Sequence, residues 1–388
     1  MRLKESLDLP ERFQNWEEFF RVMPLMNRSD LKKNLDQIVY QRASPDYWRI
    51  TGGSSAEPIR LPAWRNEDRV TAPNTWLARS WFDVDASDRL FLLWGHSHLL
   101  GDGVTKYVNA IARYAKDRIL AYHRFSAYDL NEEKMRTAGK ALLRFKPRYV
   151  LGYSGALHRL AAVNEDLMSK FHALGLKVAI ATGESFPSPG SSKLISNVLG
   201  CPVAMEYGAV ETGTIAHQCP KGEFRVFWDS YLIERLVSPD STDVGEVAIT
   251  ALYPRLTPLI RYRLGDLIAD APNHPSGGRS FDKVIGRCND CIHLDQGGFI
   301  HSESFSHVLR DIPGLDAFQV IQKTNREIII TYVSNSPLPD QTVELLKNRL
   351  RTIHPRLHKT AFRKVSTIPG TIAGKSKRIV SEIELNSH

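Results

Sequence analysis

Cysteine is scarce in this chain, with four in 388 residues. That is too few for a scaffold built on disulfides. No apolar run approaches the ~18 residues that a membrane-crossing helix needs. The opening MRLKESLDLPERF lacks the apolar stretch of a secretory leader. These absences predict a cytoplasmic protein with no membrane partner. The formal net charge is +8, yet no lysine- and arginine-rich block of nucleic-acid type occurs. Dispersed positive charge suits a small anionic partner such as a nucleotide or coenzyme, or simply a solvated basic surface. There is no internal repeat and no low-complexity tract, and the glycine- and serine-rich TGGSSAEP carries no GK[ST].

Strand and helix signals alternate in the first half. NWEEFFRVMPLMNRSDLKKNLDQI reads as helices broken at Pro24, with Ser29 or Asp30 as N-cap. DYWRITGGSSAEPIRLP reads as strand, turn, strand, and RLFLLWG as a short buried strand. The following helix places Val104, Val108, Ile111 and Ala115 on one face. PRYVLGYSGALHRLAAV predicts a strand, a glycine turn and a helix, and KVAIATGESF a strand ending in a loop. This alternation predicts an α/β layered architecture with mostly parallel sheets. After about residue 220 strand signals dominate, and from about 284 a smaller α+β unit begins. The predicted division is a large N-terminal domain, 1–283, and a small mobile C-terminal domain, 284–388.

Several stretches carry chemistry-bearing residues. In TPLIRYRLGDL, alternation puts Arg261 and Arg263 on one strand face, and Gly265 permits a turn that leaves Asp266 at a strand end. An aspartate there can accept both hydroxyls of a ribose, or it can be a plain turn residue. TGGSSAEP brings Gly53, Ser54 and Ser55 into one turn whose N–H and hydroxyl groups could cradle phosphate. EYGAVETG places Tyr207, Gly208 and Glu211 in one short loop, where a ring could stack on a purine and a carboxylate hold Mg²⁺. Lys375, in TIPGTIAGKSKRIV, follows a glycine on a segment that could carry it to a developing phosphate charge, or form a solvated tail. WGHSHLLGDG, with Trp94, His96 and His98, is a candidate acyl pocket that Tyr153 and Ser154 could also line. Cys288, Cys291 and His293 with His217 and Cys219 could compose a zinc site, which takes four such ligands, but only one C-x-x-C is present, so plain thiols are the expectation.

Taken in order, these stretches resemble the adenylate-forming (acyl- and aryl-CoA synthetase) superfamily, and within it the phenylacetate–CoA ligase branch with its capsule-biosynthesis relatives. TGGSSAEP resembles the superfamily's phosphate loop, although Glu57 stands where lysine is common. ATGESF, with Gly183 and Glu184, resembles its adenine-bordering segment, and YGAVETGTIAHQCP its Tyr-Gly-x-x-Glu loop, with Val210 where Ser, Thr or Arg is usual. PLIRYRLGDL resembles the branch signature. VIGRCNDCI resembles the hinge, with Asn289 in place of aspartate, and GTIAGKSKR the terminal lysine motif. The resemblance implies a two-step reaction: ATP and a small or aryl carboxylic acid give an acyl-adenylate, then a thiol displaces AMP. It implies coenzyme A as acceptor, with an amine or a carrier-protein thiol as the alternative, and a non-catalytic nucleotide-binding relative as a further one. By carry-over, Asp266 and Arg287 hold the ribose, and Tyr207, Gly208, Gly183 and Glu184 border the adenine. Ser54 and Ser55 receive the triphosphate, Glu211 holds Mg²⁺, and Lys375 contacts carboxylate and α-phosphate oxygens.

Overall fold

The computed structural model describes the chain except residues 1–8, 41–43, 51–58, 95–110, 112–113, 128–129, 189, 238–243, 271–278, 289–290, 295–298, 302–304, 306–307, 310–311, 369–378 and 384–388. Helices α1 (Trp16–Val22), α2 (Arg28–Lys33) and α3 (Leu35–Ile38) precede a hairpin of β1 (Tyr47–Ile50) and β2 (Arg60–Ala63). Helix α4 (Arg65–Ser80) then leads to β3 (Leu90–Leu93) and β4 (Tyr122–Phe125). Helix α5 (Glu132–Phe145), β5 (Tyr149–Tyr153), helices α6 (Ser154–Val163) and α7 (Met168–His172), β6 (Val178–Thr182), helix α8 (Ser191–Leu199) and β7 (Val203–Ala209) follow. Next come β8 (Gly213–Gln218), β9 (Phe224–Val226), β10 (Tyr231–Val237), β11 (Val244–Ala251), β12 (Tyr262–Ala269), β13 (Ser280–Phe281) and β14 (Lys283–Arg287).

An eight-stranded sheet has the order β13-β9-β8-β7-β6-β5-β3-β4. From β4 to β7 its neighbours are parallel, and from β7 outward they are antiparallel. Strands β3 and β6 are buried at every position, as parallel strands covered on both faces must be. Their cover is amphipathic. Helix α5 opens on the Asn131 cap and Glu132–Glu133, and it buries Met135, Ala138, Gly139 and Leu142 at three- and four-residue spacing. Leu142 is fully buried, so Leu142→Ala would cost ~2–5 kcal/mol. A second sheet, β10-β11-β12-β14, is antiparallel throughout. The two sheets share one core in which Tyr207, Ile215 and Phe224 pack with Ile233, Val247, Tyr262 and Ile268.

A smaller α+β unit follows. The hairpin β15 (Cys291–His293) and β16 (Phe299–His301) precedes β17 (Leu315–Gln322), β18 (Ile328–Ser334), helix α9 (Asp340–Ile353), β19 (Ala361–Lys364) and β20 (Ile379–Ser381). The last four strands form a sheet ordered β19-β18-β17-β20. Ile292, Phe305, Val320, Ile330, Leu346 and Leu350 make a core of their own.

Local departures from expectation have physical causes. Asn27, not Ser29 or Asp30, caps α2: its side chain accepts the Asp30 N–H while the Asp30 carboxylate accepts the Asn27 N–H. No glycine turn separates β5 from α6, because the strand runs straight into the helix at Ser154. The helical face expected around Ile111 and Ala115 points outward, with Ile111 69% exposed. There Asp117 is buried and paired with Arg124 of β4 at 2.6 Å, while Val104 and Val108 of the expected face lie outside the described residues.

Candidate active site

The PLIRYRLGDL stretch does not end its strand at glycine. Strand β12 runs on to Ala269, and Gly265 with Asp266 sits inside it. Between the pairs Ala248↔Arg263 and Glu246↔Leu267, four residue steps on β12 face two on β11. This is a β-bulge, and Gly265 supplies its φ of +73°. Arg261 lies just before the strand, with φ +47°. Its guanidinium pairs with Glu234 at 2.8 Å, donates to the Phe20 carbonyl at 2.6 Å, and donates to the Met23 carbonyl at the end of α1. Arg263 pairs with Glu246 of β11. Both arginines therefore brace the sheet and the N-terminal helices. Nearby, Met26 exchanges backbone hydrogen bonds with Arg261 and Arg263.

Asp266 is 7% exposed. Its Oδ1 meets Arg287 Nε at 2.8 Å from the adjacent strand β14, and its Oδ2 accepts from the Tyr207 hydroxyl at 3.1 Å. Burial pushes the Asp266 carboxyl above the usual carboxylate range, with Arg287 opposing. Burial, then Asp266, likewise pushes the Tyr207 hydroxyl up. The Arg287 side chain is 61% exposed, so the pair faces outward on one side.

Tyr207 and Gly208 lie on β7 rather than in a loop, and Glu211 sits in the tight turn to β8. Gly208 is required by packing: a Cβ would lie 2.2 Å from the Gly213 carbonyl oxygen. The Tyr207 ring packs edge-on against Phe281 at 5.7 Å, so its hydroxyl, aimed at Asp266, is its contribution to the site. Glu211 is 8% exposed, and its Oε1 lies 3.4 Å from Arg28 Nη1 and 3.5 Å from the Tyr262 hydroxyl. Magnesium held on phosphates keeps waters and takes one or two carboxylates from a protein. Glu211, whose protein contacts through Oε1 are long, is a hard oxygen ligand that fits that need. Val210, beside it, is 47% exposed.

The remaining groups gather where β3, β5 and β6 end, the edge where parallel sheets place ligands. Trp94 stacks on Tyr153 with ring centroids 4.5 Å apart and planes 21° from parallel. Gly183 packs beside the same tyrosine. The Ser154 hydroxyl donates to the Glu184 carbonyl at 2.7 Å, and Glu184 Oε1 accepts the Gly155 N–H at 2.9 Å in the first turn of α6. Gly53, Ser54, Ser55, His96, His98, Asn289 and Lys375 lie outside the described residues. Arg28 is a neighbour of Glu211 that motif reading missed. The four cysteines are free thiols, and burial pushes the Cys201 thiol up to about 12. No group of three metal-ligating His, Cys, Asp or Glu side chains occurs among the described residues. Nor is any described helix long and apolar enough to cross a membrane.

With this geometry in view, comparison with solved structures places the fold. A 2-hydroxyisobutyryl-CoA ligase in complex with 2-HIB-AMP superposes with a TM-score of 0.67 at 16% identity, over 98% of this chain and 84% of that one. The amide bond synthetase McbA from Marinactinospora thermotolerans gives a TM-score of 0.55 at 16% identity, over 84% and 67%. The chain has the fold of the adenylate-forming ligases, as the ordered motifs implied. Residues 292–382 match the CapK C-terminal domain, and the chain is 22% identical over 375 residues to Protein CapK of Staphylococcus aureus, covering 93% of this chain and 80% of CapK.

Proposed function

We propose that this protein activates a carboxylic acid with ATP and passes the acyl group to a nucleophile. The carrying observation is the bulged Asp266, buried between Arg287 and Tyr207 on a strand that shares a core with the sheet bearing Glu211 and Glu184. Asp266 and Arg287 hold the ribose hydroxyls, Tyr207 braces Asp266, and Gly183, Glu184 and Gly208 border the adenine. Gly53, Ser54 and Ser55 receive the triphosphate. Glu211 would hold Mg²⁺, which would supply positive charge beside the phosphates. Trp94, His96, His98, Tyr153 and Ser154 line the acyl pocket.

In the first step a carboxylate oxygen bonds to the α-phosphorus and the bond to pyrophosphate breaks. Lys375 stabilises the charge gathering on the α-phosphate oxygens. In the second step a thiolate bonds to the acyl carbon and AMP leaves. Rotation of residues 284–388 about the segment near Asn289 withdraws Lys375 between the steps. Coenzyme A is the first acceptor in this reading. An amine is the second, favoured by the similarity to an amide bond synthetase.

Carboxylate-dependent ATP–pyrophosphate exchange over a panel of aryl and small acyl acids tests the reading. Exchange that Lys375→Ala abolishes is the expected result. ATP binding with no exchange for any acid would favour a nucleotide-binding protein without catalysis. A second assay, coenzyme A against amines, then assigns the acceptor.

A further inference from the structure

Behind the Glu211 turn lies a buried ionic cluster. Arg255, in the segment joining β11 to β12, is 5% exposed. Its Nη2 donates to the Glu211 carbonyl at 2.5 Å, its Nη1 to the Tyr253 hydroxyl at 2.7 Å, and its Nε to the Thr257 carbonyl at 3.2 Å. The same Nη2 lies 3.6 Å from Glu67 Oε2. Glu67, in the first turn of α4, is 1% exposed. Its Oε2 accepts from Arg49 Nη1 at 2.7 Å, and its Oε1 accepts the N–H groups of Leu256 at 2.9 Å and Trp64 at 3.1 Å. Arg49 belongs to β1 and also holds Asp68 at 2.8 Å. The Tyr231 hydroxyl shares a hydrogen bond with Tyr253 and donates to the Thr212 carbonyl. The cluster thus starts on the hairpin flanking residues 51–58 and ends on the carbonyls of Glu211 and Thr212.

We propose that Arg255 is a positioning residue which, through Glu67 and Arg49, locks the Glu211 turn to the β1–β2 hairpin. Its catalytic meaning rests on the function proposed above, in which the hairpin's connecting residues and Glu211 both serve the triphosphate. The mechanical coupling stands without it. A planar guanidinium can serve the Glu211 carbonyl, the Tyr253 hydroxyl and the Thr257 carbonyl at once, each from its own nitrogen, and an ammonium on a shorter reach cannot. Glu67 is the buried carboxylate that both guanidiniums share, so a shift of Arg255 unbalances the charge that Arg49 faces, with Asp68 as Arg49's second partner.

The test is hydrogen exchange on the full chain carrying Arg255→Lys, with Tyr253→Phe as a milder variant that removes one contact of the same fork. The expected result is faster exchange, by about tenfold or more, in both 206–216 and the hairpin strands, with β17–β18 unchanged. Acceleration of one segment alone, or of neither, overturns the coupling. In the pyrophosphate-exchange assay, Arg255→Lys lowers kcat by about tenfold or more while the acid KM stays within about twofold. That loss disappears in a Glu211→Gln background, and an additive loss there overturns the positioning role. A wild-type protein that exchanges no pyrophosphate sinks the proposed function and leaves the hydrogen-exchange result readable.

Discussion

The eight-stranded and four-stranded sheets reach the site by different means. In the first, Trp94, Tyr153, Gly183 and Glu184 stand at or just beyond the ends of parallel strands. They need only local fixings, such as the Ser154 hydroxyl on the Glu184 carbonyl. In the second, Asp266 stands in the middle of an antiparallel strand. There the ladder has to be interrupted by a bulge and then braced, by Arg261 on Glu234, Arg263 on Glu246 and Arg287 on Asp266. Parallel topology sets candidate site residues side by side as a by-product of where strands stop. Antiparallel topology has to build them with a glycine and compensating charge.

Substitutions in each sheet sharpen this contrast. Gly208→Ala should be the most damaging, costing ~3 kcal/mol, because the new methyl meets backbone that cannot turn aside. The urea midpoint would fall at constant m, and an unchanged midpoint would refute the packing argument. Asp266→Asn should weaken ATP binding by about tenfold or more, since hydrogen bonds to a charged group contribute ~1.5–3 kcal/mol. Calorimetric titration reads this directly. The same variant separates binding from folding. Burial raises the Asp266 carboxyl while Arg287 opposes, so the native state holds that proton more tightly than the unfolded chain does. Stability therefore falls as pH rises from the ordinary carboxylate range through the raised native value. Asp266→Asn should flatten this slope, and an unaltered slope in pH-dependent urea unfolding would count against it.

Gly265→Ala should cost less, ~1–2 kcal/mol. The penalty there is the left-handed backbone alone, with open space around the new methyl. If it proved as damaging as Gly208→Ala, the distinction between clash and conformation would fail. Ser154→Ala, at the parallel edge, should cost ~1 kcal/mol for one neutral hydrogen bond and leave ATP affinity nearly unchanged. Thermal unfolding beside the binding titration checks both halves of that statement.

Motif reading singled out Asp266, Arg287 and Tyr207, and the structure brings these three side chains into contact. What escaped reading are partnerships made in space. Arg28 reaches Glu211 across 183 positions, and Glu67 reaches Leu256 across 189. No periodicity marks such pairs. The exposed Ile111 is a related case: apolar spacing says nothing of the Asp117–Arg124 pairing, which buries the aspartate instead. The turn expected at Gly265 became a bulge because both devices require the same positive φ, and only the neighbouring strands select between them.

The two additional residues in β12 also set a rule for how this chain tolerates change in length. Deleting one residue between Arg263 and Leu267 would not merely shorten a connection. Side chains alternate along a strand, so the deletion would reverse the facing of the Arg263 flank relative to Asp266, which is registered opposite Arg287. Natural variants and engineered libraries of this protein should therefore keep the number of residues between Arg263 and Leu267 fixed.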